Sequence, residues 1–110
     1  MLPSSTLPEP KVMKTVRVIV TAYSSSVFET DDTPTITAAN TEVRDGIIAN
    51  NLMPFGTKVR LPELYGDKIF VVEDRMNRRK GSYHFDIWFP SHREAKNFGV
   101  ENTYLEVLAN

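Results

Sequence analysis

The sequence predicts a small, mainly β domain closed into a barrel, with six or seven short strands and one short helix. Three observations predict it. Short β-branched and aromatic runs recur along the chain, punctuated by Pro, Gly and Asp turns. The run from Lys68 to Asp74 is apolar on both of its faces, which suits a closed barrel or sandwich better than an open sheet. With 110 residues there is material for one core and too little for two.

Residues 1–12, rich in Pro and Ser, read as an extended linker, so the domain proper spans residues 13–110. Val16 to Tyr23 is a β-branched strand. Ser24 to Asn40 is polar, with a turn at Asp31-Asp32-Thr33-Pro34. Gly46 to Ala49 is a brief buried strand, and Met53-Pro54-Phe55-Gly56 turns into a strand from Thr57 to Leu61. Pro62 to Asp67 is a further turn, before the strand from Lys68 to Asp74. Tyr83 to Phe89 alternates, with Phe85, Ile87 and Phe89 on one face and His84, Asp86 and Trp88 on the other. Ser91-His-Arg-Glu94 is a capping box and Gly99 a stop, which defines one helix with Ala95 and Phe98 toward the core. Thr103 to Leu108 closes the barrel.

Composition excludes several classes. A net charge of −1 gives no global signature of nucleic-acid binding. Without cysteine there are no disulfides, thiol nucleophiles or thiolate metal sites, and two separate histidines do not make a zinc site, so no cofactor is expected. No apolar run is long enough to cross a membrane, and the first residues lack the layout of a signal peptide. An export signal or anchor, if the domain has one, is expected to precede Met1.

The chemistry concentrates between Asp74 and Trp88, where a basic loop (Arg75, Arg78, Arg79, Lys80) joins an acid at a strand end to an acid inside an aromatic strand. Asp86 among Phe85, Ile87, Trp88 and Phe89 is costly to desolvate as an anion, so apolar surroundings favour its protonated form. A general acid needs that tuning. The plainer reading makes Asp86 a structural acid, capping a turn or paired with Arg75.

Thr21-Ala-Tyr23, Thr37-Ala38, Gly46-Ile-Ile-Ala49, Pro54-Phe-Gly-Thr57, Glu73-Asp-Arg75, Asp86-Ile-Trp-Phe89 and Glu94-Ala95 with Phe98-Gly99 occur in that order. Together they resemble the 3D (three-aspartate) domain of bacterial cell-wall lytic proteins. The pattern is similar to rare lipoprotein A and to the barrel of MltA-type lytic transglycosylases. The resemblance implies a six-stranded double-psi β-barrel in the bacterial cell envelope or outside the cell. It also implies non-hydrolytic cleavage of peptidoglycan between N-acetylmuramic acid and N-acetylglucosamine, leaving a 1,6-anhydro end.

Within that resemblance Asp86 is the acid and base, and Asp74 a catalytic partner held near it by pairing of their two strands. Asn50 and Asn51, Tyr23, Thr37, Arg75, His84 and Trp88 are expected to bind substrate, and Asp31 is a candidate third acid. Members of the family often carry an acid or histidine just before the Pro-Phe-Gly-Thr turn, where this chain has Asn50 and Asn51. An amide carries no proton at neutral pH. That departure keeps open the alternative of a non-catalytic barrel that only binds peptidoglycan or another polysaccharide.

Overall fold

Alternating apolar residues give this chain one set of side chains to bury and a second set to display, and six strands do so in a ring. The computed structural model describes residues 9–25 and 35–109. The strands are β1 (Val12–Ser24), β2 (Ile47–Ala49), β3 (Lys58–Arg60), β4 (Ile69–Asp74), β5 (His84–Phe89) and β6 (Glu101–Leu108). They close in the order β1-β5-β2-β4-β3-β6. β1 pairs with β5 and β2 with β4 in parallel, and every other neighbouring pair is antiparallel. This interleaved, crossed connectivity is the one expected of a double-psi barrel.

Inside the ring lie Val18, Val20, Ile48, Val59, Phe70, Val72, Phe85, Ile87, Leu105 and Val107, with Met53 and Leu61 closing the ends. Burying a side chain of this size contributes roughly 1.5–3 kcal/mol. Closure leaves no free sheet edge to template aggregation.

Two short helices accompany the barrel where the sequence predicts one. The expected helix is α2 (His92–Phe98), and it follows the sequence closely. Ser91 Oγ accepts from the Glu94 amide at 3.2 Å, Gly99 ends the helix at φ 75°, Ala95 is buried, and Phe98 packs on Phe89 at 5.8 Å. The addition is α1 (Pro62–Tyr65), a single turn where a plain turn is expected. Pro62 sits at the start of α1, where its fixed φ suits a helix and its missing N–H is no loss. Gly66 at φ 59° then ends it.

β1 begins four residues earlier than the β-branched run, because β6 supplies a ladder partner all the way back to Val12. β4 is less symmetrical than its composition suggests. Phe70 and Val72 are buried, whereas Ile69 is 40 % exposed. The closed barrel is therefore correct, but one face of β4 is only partly covered. The linker residues 1–8, the Asp31–Pro34 turn and the candidate Asp31 lie outside the described residues.

Candidate functional site

The parallel register of β1 and β5 sets Ile19 beside His84, Thr21 beside Asp86 and Tyr23 beside Trp88. Their neighbours Val18, Val20, Phe85 and Ile87 point into the core, so these six side chains share the outer face. β2 extends the row, since Ala49 is the ladder partner of both Asp86 and Asp74. The result is a line Thr21–Asp86–Ala49–Asp74 across four strands. Ala49 is buried and contributes only a methyl group between two carboxyl groups whose backbones are two strand spacings, about 10 Å, apart.

The expectation that the two acids sit on directly paired strands is wrong: β2 lies between β4 and β5. A bulge does the positioning. The β2–β4 register shifts between Ile48 and Ala49, so Glu73 is skipped and Asp74 comes opposite Ala49. Strict alternation would send Asp74 to the interior face of Phe70 and Val72, and the bulge re-aims it outward.

Asp86 is partly buried. Thr21 Oγ1 donates to its Oδ1 at 2.9 Å, and the same hydroxyl lies 2.8 Å from His84 Nε2. Burial pushes the Asp86 carboxyl above its ordinary value, and Asp74 adds to the rise. The Thr21 hydrogen bond, His84 and Lys80 oppose it, but desolvation is the largest of these effects. His84 moves the other way, lowered by burial and then by Lys80, with Asp86 opposing. A neutral imidazole with its proton on Nε2 donates to Thr21, which in turn commits the Thr21 hydroxyl to Asp86 Oδ1. The acid proton of Asp86 is then left to Oδ2, which has no hydrogen-bond partner among the described residues.

Asp74 is held differently. Its Oδ2 accepts from the Tyr23 hydroxyl at 2.7 Å, and its Oδ1 from the amides of Ala38 and Arg75 at 2.9 and 3.0 Å. Tyr23 thus reaches over the row to the far acid. Burial and the adjacent Asp74 raise its phenol well above the ordinary range, so it stays a donor. Three donors thus converge on Asp74 and fix the orientation of its carboxyl group.

Not every expected ligand contact is available. Asn50 is fully buried: its Nδ2 donates to the carbonyls of Ser82 and His84, each at 2.9 Å, and its Oδ1 accepts from the amides of Leu52 and Met53, each at 2.8 Å. Both amide hydrogens and both acceptor positions are occupied, so Asn50 has nothing left for a sugar. Asn51 bridges the Met76 amide and the Asn77 carbonyl. The Arg75 guanidinium donates to the Asn50 carbonyl at 2.9 Å and stacks on Phe55 at 3.9 Å, so it pairs with neither acid.

Thr37 is buried and bonds Thr41, whose hydroxyl reaches Glu73, itself paired with Arg44 at 2.6 Å. That chain fastens the loop that delivers the Ala38 amide to Asp74. Asn50 and Thr37, both buried, support the site from behind. Trp88 stays on the outer face, half-buried, with its indole N–H donating to Ser25 Oγ at 2.8 Å.

No family model and no curated protein matches the chain significantly. Function has to be read from the residues and their geometry. Thr21 is the member of the site that the sequence reading left out of its candidates. Its signal is alternation, because a residue two before Tyr23 in a strand shares its face.

Proposed function

We propose that this barrel cleaves the glycan strands of peptidoglycan as a lytic transglycosylase. The observation that carries the reading is Asp86. Its carboxyl has a burial-raised pKa, with one oxygen fixed by Thr21 and no hydrogen bond to the other among the described residues, on an outer row that also carries Tyr23 and Trp88.

The reaction needs one group that gives a proton and then takes one back. Asp86 Oδ2–H protonates the glycosidic oxygen as the C1–O bond breaks, with its electron pair leaving on that oxygen. The C6 hydroxyl of the same muramic acid unit closes on C1, and its proton passes to the Asp86 carboxylate. The acid is regenerated and no water is consumed, so a second reacting carboxylate is not required, unlike in a hydrolase. Asp74 and Tyr23 brace one another, the His84–Thr21 pair orients Asp86, and Trp88 supplies an apolar face for a sugar ring. Such a substrate places the domain in the bacterial envelope or outside the cell.

Mass spectrometry of the soluble products from purified sacculi tests this, with Asp86→Asn beside the wild type. Anhydro-muropeptides from the wild type alone are expected, with a loss of at least about 100-fold in the variant. Sacculus binding without any product would replace the enzyme by a polysaccharide-binding module.

A further inference from the structure

One row back along the strands from Thr21 and Asp86, the outer face carries Asn102, Ile19 and His84 side by side on β6, β1 and β5. They line an open groove of about 380 Å³ together with Arg17, Ser82 and Tyr83. That volume lies within the range of small-molecule sites. The groove shares His84 with the acid site and opens about 7 Å, two strand residues, from the Asp86 row.

We propose that this groove is a subsite for a carboxylate-bearing amino sugar, with Arg17 recognising the carboxylate. The proposal rests on the glycan-cleaving reading and names the part of the substrate that this end of the site takes. Three features carry it. Arg17 projects on the outer face and is exposed, and no carboxylate among the described residues pairs with it. No acid lines the groove, although Asp86 in the next row acts on His84 as Lys80 does, with opposite sign. The groove is thus complementary to an anion.

Its walls suit a sugar. Tyr83 is 53 % exposed and Ile19 44 %, unusual for side chains beside a packed strand pair, and they offer apolar surface to a pyranose face. Ser82 and Asn102 offer hydroxyl and amide groups for an N-acetyl substituent or a ring hydroxyl. An uncharged amino sugar would use the walls alone. One bearing a lactyl carboxylate would use the walls and Arg17.

Two disaccharides separate these cases. Di-N-acetylchitobiose and N-acetylglucosaminyl-N-acetylmuramic acid differ by the lactyl group, and the second contains no bond that the proposed reaction cuts. Titrating each into the ¹⁵N-labelled protein should shift the Ile19, Ser82 and Asn102 amides. The muramic acid compound should bind about three- to fivefold tighter, the scale of one exposed ion pair. Arg17→Gln should erase that preference and leave chitobiose affinity unchanged. Equal affinities in the wild type, a preference that survives Arg17→Gln, or shifts absent from these amides would each overturn the subsite. Sacculus digestion by the same sample reports on the reaction separately. Products without discrimination sink the subsite alone, and discrimination without products sinks the transglycosylase alone.

Discussion

Replacing Asn50 by alanine should cost the fold, not the ligand. The carboxamide makes four hydrogen bonds of 2.8–2.9 Å to backbone groups of two segments, and the residue is fully buried. At about 1 kcal/mol net for each, alanine loses about 4 kcal/mol and leaves two carbonyls and two amides without a partner. A domain of this size is stable by roughly 5–15 kcal/mol, so the loss is a large share of the total. At about 4 °C per kcal/mol, the melting temperature should fall by roughly 15 °C. Asn50→Asp should be no better, because a carboxylate oxygen would then face the Ser82 and His84 carbonyls in place of a donor. Thermal denaturation by circular dichroism reads the fold, and sacculus binding at low temperature reads the ligand. An alanine variant that melts within about 3 °C of the wild type yet no longer binds sacculi would refute the structural assignment and return Asn50 to the ligand.

Two further predictions address the acid. Since burial raises the Asp86 pKa, the native state holds that proton more tightly than the unfolded chain. Wild-type stability should therefore fall as pH rises from the ordinary carboxylate value of 3.8 through the raised native one, and level off above it. Asp86→Asn removes this slope while keeping an acceptor for Thr21. Its melting temperature relative to wild type should climb across that window, and a relative fall would contradict a burial-raised acid. Thr21→Val deletes the hydroxyl that lowers the Asp86 pKa and links it to His84. The basic limb of the activity–pH profile should move to higher pH with a lower maximum, and an unmoved limb would show that the titrating group is not Asp86.

What the sequence disclosed was local. The β5 alternation places His84, Asp86 and Trp88 on one face because period-2 geometry depends only on neighbours in the chain, and the α2 boundaries follow from Ser91, Glu94 and Gly99 for the same reason. The acid in an aromatic strand was legible as a desolvated carboxyl. The features that stayed hidden depend on distant segments. β2 separates the two acids, and the bulge that aims Asp74 outward leaves no mark in the residues around it. The Ala38 amide that holds Asp74 belongs to the backbone and has no residue signature at all. Asn50 looked like a polar group before a turn, available to a sugar, and only its partners from the segment Ser82–His84 show it to be a fastener.

That reassignment bears on the choice between enzyme and binding module. The amides before Pro54 argued for lost catalysis only if their position had to titrate in the site. Asn50 is buried against the Ser82 and His84 carbonyls, so an acid there would meet two acceptors in place of a ligand. The proton required by the reaction can reside on Asp86, where burial already favours the acid form and Thr21 and His84 orient it. Asn50 therefore no longer argues against catalysis, and the choice between the two readings rests on one titratable group that can be measured directly.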